Sequence, residues 1–513
     1  MKIPGGGDAD AGPYIIQFST MTLRRIRTTL AVIFLTGITL LFLDFTGTAH
    51  AWLGWMAKIQ FLPALLALNA AVVAGLVILT LLLGRVYCSV ICPLGVMQDA
   101  FAWLGKKAKK NRYRYSPAKK VLRYAVLAIA VIAFLLGIGS IVALLAPYSA
   151  YGRIAQNLLA PLWQMANNLL AGWAEKHESY AFYSVDVWIR SGVTLAVAAV
   201  TLVVLAVLAW RNGRTYCNTI CPVGTILGFL SRYSLFRPVI DTSKCNGCGL
   251  CARNCKAACI DSKSHTIDYS RCVACMDCLT KCHKGAISYT YRRASAASAP
   301  APQPDGSRRR FLTAAATVAA TAALKAQEKV VDGGLAAIAD KKIPRRSTRI
   351  VPPGAVSLRN MARHCTACQL CVSACPNGVL RPSTDLETLM QPESSYERGY
   401  CRPECTRCSE VCPAGAIVRL SVADKSSVQI GHAVWVKENC VPLTDGVECG
   451  NCARHCPVGA IQMVASRKDD PDSPKVPVVN EARCIGCGAC ENLCPARPLS
   501  AIYVEGHQVH KTI

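Results

Sequence analysis

The sequence has few acidic residues, few histidines and none of the common nucleotide-binding loops. Asp and Glu number 31 against 57 Lys and Arg, so the 513-residue chain carries a formal net charge of +26 at pH 7. It contains no G-x-G-x-x-G fingerprint, no phosphate-binding loop and no recognisable pairing of a nucleophile with a base. These absences argue against a hydrolase and against the common nucleotide-dependent enzymes.

Cysteine, by contrast, is abundant, and most of it is grouped. Of the 29 cysteines, 24 fall into six groups of four. Four groups have the strict spacing C-x2-C-x2-C-x3-C: Cys245/Cys248/Cys251/Cys255, Cys272/Cys275/Cys278/Cys282, Cys365/Cys368/Cys371/Cys375 and Cys484/Cys487/Cys490/Cys494. Two groups have a longer first gap: Cys401/Cys405/Cys408/Cys412 and Cys440/Cys449/Cys452/Cys456.

The strict spacing is that of bacterial ferredoxins, in which three closely spaced thiolates hold one [4Fe–4S] cluster and the fourth ligates its neighbour. Zinc sites more often use two separated C-x2-C pairs, and disulfide frameworks belong mainly to small secreted domains. We therefore predict six [4Fe–4S] clusters. Within residues 236–293 the crossover rule predicts that Cys245/Cys248/Cys251 pair with Cys282, and Cys272/Cys275/Cys278 with Cys255.

Four apolar runs, at about 28–43, 61–83, 124–146 and 191–210, predict transmembrane helices. A signal peptide is the alternative for the first run, but three further runs follow it. The predicted fold class is thus a membrane unit of four transmembrane helices combined with α+β ferredoxin-like domains. Residues 152–175 repeat apolar residues at helical spacing, which predicts a helix along the outer membrane interface.

The basic residues are concentrated in the first part of the chain. Residues 1–326 hold 35 Lys and Arg against 12 Asp and Glu, and many of these cations lie between 85 and 120. Such a surplus also occurs in nucleic-acid-binding proteins, but its position after an apolar run fits the positive-inside rule. We expect both ends of the four-helix unit in the cytoplasm, and no nucleic-acid partner.

Two matching motifs follow the second and fourth apolar runs. GRVYCSVICPLG contains Cys88 and Cys92, and GRTYCNTICPVG contains Cys217 and Cys221. The repeat predicts a duplicated helical hairpin whose four thiols, if the hairpins pack side by side, could hold a further metal. The alternative is that these residues simply end each helix at the interface. Cys259 belongs to no set, and we expect it to serve packing.

Residues 294–308 form a Pro/Ala/Ser-rich linker that leads into Ser307-Arg308-Arg309-Arg310-Phe311-Leu312 and an Ala-rich apolar stretch. This pattern predicts an internal twin-arginine export signal. An arginine cluster before an ordinary helix is the alternative. We thus predict a multi-pass protein of the bacterial inner membrane. Its domains are a four-helix membrane domain with both C-x3-C-P motifs at 1–235, a cytoplasmic two-cluster ferredoxin domain at 236–293 (the short domain), a linker with export signal or anchor at 294–344, and a periplasmic four-cluster ferredoxin domain at 345–513 (the long domain).

With these motifs in order, residues 20–290 resemble the NapH-type membrane polyferredoxins, and residues 345–510 resemble the NapG-type ferredoxin subunits exported by the twin-arginine route. The resemblance implies a fusion of two usually separate subunits of a quinol dehydrogenase system. It also implies that, in the long domain, the first cysteine group pairs with the fourth and the second with the third. Sequential pairing is the alternative that the sequence leaves open.

None of the nine histidines lies in an apolar run, and no C-x2-C-H haem motif is present. Electrons that cross the bilayer would therefore need a mobile quinone or a haem-bearing partner subunit. His50, Trp52, Trp55 and Tyr148 are the candidates for contact with a quinone, although aromatic residues at an interface more often serve as anchors.

The leading hypothesis is an electron-transfer subunit of a quinol dehydrogenase complex, which passes electrons from quinol to a periplasmic reductase or cytochrome. A second hypothesis reverses the flow, from a cytoplasmic ferredoxin to the quinone pool. A third is a redox sensor or metallocentre-maturation protein that uses the C-x3-C-P cysteines.

Overall fold

A computed structural model describes residues 20–108, 113–179, 181–291 and 339–513, together with two short strands between the last two ranges. The predicted export signal at 307–312 lies outside the described residues, as does most of the linker. Within the described residues a helical unit comes first, and two regions of short helices and strands follow it, which we call the short and the long ferredoxin domain.

The helical unit is built from fourteen α-helices among the described residues. They are α1 Thr20–Leu43, α2 Thr48–Leu53, α3 Trp55–Lys58, α4 Phe61–Leu66, α5 Ala70–Leu83, α6 Val86–Val90, α7 Pro93–Lys107, α8 Lys120–Leu135, α9 Gly139–Leu145, α10 Pro147–Ile154, α11 Ala160–Lys176, α12 Gly192–Asn212, α13 Thr215–Thr219 and α14 Pro222–Leu230. A π-helical turn at Ala155–Leu159 joins α10 to α11, and a 3-10 turn at Ser231–Tyr233 follows α14.

The prediction of four long membrane helices is wrong in its count. Among the described residues, two helices are long and apolar enough to cross a membrane, Thr22–Leu43 and Gly192–Asn212. The run 61–83 is divided into α4 and α5, where Leu68 has a left-handed φ of 53° and the Asn69 side chain caps α5. The run 124–146 is divided at Gly137, whose φ is 77°. Local turn chemistry thus overrides continuous hydrophobicity.

In both hairpins of the predicted repeat, the helix before the C-x3-C-P motif ends, and the helix after it begins, in the same way. Gly84 and Gly213 terminate α5 and α12 with φ of 72° and 69°, a conformation that favours glycine. Each C-x3-C-P motif then forms a one-turn helix, and the proline opens the next helix, where the missing backbone N–H costs nothing. The duplication is therefore present in the backbone as well as in the sequence.

The two ferredoxin domains combine short helices with two-stranded antiparallel sheets. The short domain contains β1 Phe236–Ile240, α15 Leu250–Asn254, β2 Ile260–Asp261, β3 Thr266–Ile267, α16 Asp277–Lys281 and β4 Ile287–Tyr291. Strands β5 Val331–Asp332 and β6 Ala336–Ala337 precede the long domain. The long domain contains α17 Leu358–His364, α18 Leu370–Ala374, β7 Leu380–Pro382, β8 Pro392–Ser394, α19 Arg407–Val411, α20 Val422–Ser427, β9 Val428–Trp435, α21 Val441–Thr444, α22 Asn451–Arg454, β10 Ile461–Arg467, β11 Asp470–Val479, α23 Ala489–Asn492 and β12 Ile502–Thr512.

Strand pairing in these domains is β1 with β4, β2 with β3, β5 with β6, β7 with β8, β9 with β12 and β10 with β11. The pair formed by β9 and β12 joins the start of the second half of the long domain to the end of the chain.

The ferredoxin domains pack against opposite ends of α1, which at 1.5 Å per residue is about 36 Å long. At the first end, Arg24 Nε lies 2.9 Å from the Asp277 carboxylate of the short domain. At the other end, α1 contacts α18 of the long domain, and Gly152 lies between the Phe42 ring and the Cys368 carbonyl oxygen. One hydrophobic core runs continuously through the helical unit and into both domains.

Candidate iron–sulfur site

In the short domain the structure brings together one of the two sets of thiols that the crossover rule predicts, Cys272/Cys275/Cys278 with Cys255. Burial raises the pKa of Cys278, and the thiols of Cys275, Cys272 and Cys255 raise it further. These four cysteines line one cavity. Cys251 and Cys282, which belong to the other predicted set, both pack against one small cluster of buried residues around Leu279.

In the long domain the first cysteine group pairs with the second. Burial raises the pKa of Cys371, and the neighbouring Cys368, Cys365 and Cys412 thiols add to the effect. Cys375 in turn lies with the triplet Cys401, Cys405 and Cys408.

The third group pairs with the fourth in the same way. Cys440, Cys449, Cys452 and Cys494 line one cavity. Cys456 lies with the triplet Cys484, Cys487 and Cys490. Burial raises the pKa of Cys487, and the neighbouring thiols of Cys484 and Cys456 raise it further. The nested pairing that the family resemblance implies is therefore wrong. Pairing is sequential, because each pair of neighbouring groups folds into one compact unit.

The strict motifs share a backbone conformation that sequence reasoning missed. The residues directly before and after the second cysteine are left-handed in all four: Gly247 and Gly249, Ala274 and Met276, Ala367 and Gln369, Gly486 and Gly488. Left-handed non-glycine residues are uncommon and cost about 1 kcal/mol or more each. Glycine at four of these eight positions was the available signal. The conformation wraps the backbone around the space between the three thiols.

This arrangement fits [4Fe–4S] clusters better than single ions. Among the described residues, no three His, Cys, Asp or Glu side chains converge closely enough to hold one metal ion. Backbone N–H groups donate to sulfur in several sets; Ala460 N lies 3.2 Å from Cys456 Sγ, and Ala501 N lies 3.3 Å from Cys494 Sγ. Hydrogen bonds of this kind help to set the potential of a bound cluster.

The sets of the long domain follow one another in space. The thiols of Cys408 and Cys371 are close enough to interact, which joins the first set to the second. Cys401 N donates to the Cys487 carbonyl oxygen at 2.9 Å, which joins the second to the set of Cys484. The thiols of Cys490 and Cys452 are close enough to interact, which joins the set of Cys484 to the set of Cys440. The spatial order thus places the triplet of the fourth motif before that of the third.

The four C-x3-C-P cysteines also meet. Cys88, Cys92, Cys217 and Cys221 are each at most 4% exposed and lie within electrostatic reach of one another. We call this group the thiol cage. Cys259 is buried as expected, with its Sγ 3.5 Å from Cys255 Sγ. It occupies the place that Ala286, Ala416 and Ala460 take after other groups.

The predicted quinone contacts do not form one site. Trp52 is 82% exposed and Trp55 is half exposed. Tyr148 is fully buried, and its pKa is raised by burial and by the nearby Cys368 and Cys412 thiols. His50 has a buried ring with no hydrogen-bond partner for either nitrogen among the described residues. The Asp44 carboxylate accepts backbone hydrogen bonds from Ala49 and His50 at the start of α2.

Comparison with known protein families agrees with this reading of the cysteines. A family model described as a 4Fe-4S binding domain matches residues 65–112 and 192–241. A second model, described as a 4Fe-4S dicluster domain, matches residues 447–497 and so spans most of the third cysteine group and all of the fourth. The dicluster match supports the sequential pairing of these two groups. No solved structure matches the chain significantly.

The matched domains define a ferredoxin-type iron–sulfur protein. Similarity to individual proteins shows which family of such proteins it belongs to. The methylamine utilization ferredoxin-type protein MauM of Paracoccus denitrificans is 31% identical over 165 residues, which cover 31% of this chain and 73% of MauM. The chain belongs to this family of ferredoxin-type electron transport proteins.

Two Escherichia coli proteins are also similar. The ferredoxin-type protein NapH is 27% identical over 245 residues, 46% of this chain and 72% of NapH. The putative electron transport protein YccM is 25% identical over 226 residues, 43% of this chain and 55% of YccM. The chain thus spans only about half the length of YccM.

Proposed function

We propose that this protein is a membrane-anchored electron carrier that connects the quinone pool to a periplasmic reductase or cytochrome. The observation that carries the proposal is the packing of the two ferredoxin domains against opposite ends of α1. Bound [4Fe–4S] clusters would supply one-electron chemistry. The chain's own contribution is to hold the cysteine sets at fixed positions along one continuous core.

The exposed faces of the helical unit support a membrane location. The most apolar windows of the two long helices are only 28% and 22% buried. On α12, Val200 and Val203 are each 60% exposed. Contiguous apolar surface of this extent is rare on a soluble monomer, and lipid would cover it.

The join between helical unit and long domain supports the proposed route. Gly152 on α10 lies against the Cys368 carbonyl oxygen and the Phe42 ring. Asn157 Nδ2 donates to Gln369 Oε1 at 2.8 Å, and Arg190 donates to the Val372 carbonyl oxygen. The first cysteine set of the long domain is therefore held directly on the helical unit.

Replacing Gly152 with alanine tests this join. The added methyl group overlaps the Cys368 carbonyl oxygen and the Phe42 ring, so the long domain must shift away. We expect electron transfer from a menaquinol analogue to the long domain to slow, because the rate of electron transfer falls steeply as the distance between redox centres grows. Stopped-flow loss of visible cluster absorbance measures the rate.

Gly172→Ala is the matched control, because Gly172 is also helical and a methyl group there meets no other atom within 4 Å among the described residues. We expect its rate to equal that of the unchanged protein. Equal rates in both variants would show that the join carries no electrons.

The periplasmic placement of the long domain rests on the proposed fusion of a NapH-type and a NapG-type unit and on the export signal at 307–312. We expect protease added to spheroplasts to cleave residues 345–513. In the variant Arg308→Lys/Arg309→Lys the domain should become protected. Protection of the unchanged protein would place every cysteine set in the cytoplasm and rule out a periplasmic acceptor.

A specific surface favours the second candidate, a cytoplasmic ferredoxin as electron donor. Cys248 of the short domain is exposed. Lys244, Arg253, Lys281 and Lys284 are exposed around its cysteine set. Such a basic surface would attract an acidic ferredoxin. Salt-sensitive reduction by a ferredoxin, in the absence of quinol, would favour this direction of flow.

A further inference from the structure

The thiol cage is enclosed by two arginines that cross between the repeated hairpins. Arg85, from the first repeat, donates to Asn218 Oδ1 at 2.9 Å and to the Cys217 carbonyl oxygen at 3.3 Å. Arg214, from the second, donates to the Cys88 carbonyl oxygen at 2.7 Å. Each arginine is fully buried and reaches into the other repeat. The repeats therefore form one site with approximate twofold symmetry.

The glycines of the two motifs make this crossing possible. A methyl group at Gly95 would overlap the Cys88 carbonyl oxygen and lie 2.7 Å from Arg214 Nη1. At Gly224 it would overlap the Cys217 carbonyl oxygen and lie 2.9 Å from Arg85 Nη2. The residues shared by the motifs are thus those that build the cage.

Polar hydrogens point at three of the four sulfurs. Cys92 and Cys221 precede the prolines that open α7 and α14, and Gly224 N donates to Cys221 Sγ at 3.3 Å. Gln98 Nε2 lies 3.3 Å from Cys217 Sγ, and Arg85 Nη2 lies 3.7 Å from Cys88 Sγ. Helix N-termini and arginines both stabilise thiolates.

Charge balance in this region requires an anion. Arg214 is paired with Asp99, but Arg85 has no carboxylate partner among the described residues. Arg85 Nε and Arg214 Nη2 are buried, and neither has a hydrogen-bond partner in the described part of the chain. A buried guanidinium that no carboxylate neutralises is unfavourable. Four thiolates around a metal cluster would provide the missing negative charge.

We propose that Cys88, Cys92, Cys217 and Cys221 together bind one further [4Fe–4S] cluster, shared between the two repeats. The thiols do not converge as a single zinc ion requires. The two segments that match the 4Fe-4S binding domain each contain two of these cysteines and none of the other six groups. Each segment alone is therefore half of a site.

The position of the cage gives this cluster a role that rests on the proposed function. On one side, Arg85 Nη1 donates to the carbonyl oxygen of Ser270 in the short domain at 3.1 Å. On the other side, the Tyr216 hydroxyl, next to Cys217, donates to the Leu145 carbonyl oxygen at 3.2 Å, and Gly152 on the following helix lies against the Cys368 carbonyl oxygen of the long domain. A cluster in the cage would thus lie between the two ferredoxin domains and connect them without a quinone.

Iron analysis of the full-length protein, purified without oxygen, tests the proposal. Seven clusters correspond to about 28 iron atoms per chain and six to about 24. We expect about 28, together with an equal amount of acid-labile sulfide, and a loss of about four in the variant Cys88→Ser/Cys217→Ser. Spin counting of the reduced protein should fall by one cluster while the ferredoxin signals remain.

Cys259→Ala is the control for loss of a buried thiol, because alanine occupies the same place after three other groups. Its iron content should not change. About 24 iron atoms in the unchanged protein, or one zinc ion per chain, would overturn the proposal even if the double variant failed to accumulate. Iron content does not depend on electron flow, so this result is independent of the proposed function.

Discussion

Replacing Asp99 with asparagine is expected to destabilise the protein by about 3–5 kcal/mol, the usual cost of breaking a buried ion pair. The Asp99 carboxylate accepts from Arg214 at 2.7 Å, from Arg27 at 2.9 Å and from Lys256 at 2.9 Å. All four side chains are at most 12% exposed. The asparagine would leave three cations without their shared anion, at the point where α1, the cage and the short domain meet.

The temperature at which cluster absorbance is lost in detergent measures this effect. Asp241→Asn is the control, because its pair with Lys244 is exposed and should contribute nothing measurable. Burial alone would raise the pKa of Asp99, but Arg214, Lys256 and Arg27 hold it well below its ordinary value. Its contribution to stability is therefore present at neutral pH and lost only in strong acid. Equal melting of Asp99→Asn and the unchanged protein would refute the network.

Replacing Arg346 with methionine is expected to cost a similar 3–5 kcal/mol in the long domain. Arg346 Nη2 donates to both oxygens of Glu491, at 2.6 and 2.7 Å, and Glu491 is only 2% exposed. Burial raises the pKa of Glu491 and Arg346 lowers it, so loss of Arg346 favours protonation of a carboxylate next to Cys490.

Two measurements separate stability from electronic effects in this variant. Thermal loss of absorbance should move to lower temperature, and the reduction potential of the set that contains Cys490 should change. Arg467→Met is the matched control, since its pair with Asp470 is exposed at 71% and 41% of the two side chains. If both variants melt alike, the buried pair does not stabilise the domain.

The sequence predicted the presence of [4Fe–4S] domains, which the family matches support, because ligand spacing is a local property. One of the two sets that the crossover rule predicts in the short domain comes together in the structure, whereas the nested pairing of the long domain depended on resemblance and failed. The strict spacing itself contained a further signal, the glycines beside Cys248 and Cys487, which adopt left-handed conformations.

Hydropathy predicted the helical unit less well. The runs 61–83 and 124–146 are apolar throughout, but a capping asparagine at 69 and a left-handed glycine at 137 interrupt them. Which residues of the two repeats contact each other depends on how the repeats pack together, and a hydropathy pattern does not predict that packing. The motif GR-x-YC-x3-CP-x-G indicated duplication, but the crossing of Arg85 and Arg214 could not be inferred from either copy alone.

The sequential pairing of cysteine groups sets the order in which the long domain can mature during synthesis. The first two sites are complete once the ribosome has passed Cys412, so that half can receive iron early. The other two sites each take one ligand from the neighbouring group, and Cys494 is the last to be made. Strand β12 then closes on β9. A chain that stops before Cys494 would thus hold all the ligands of three sites of the long domain, lack one ligand of the fourth, and leave β9 without its partner strand.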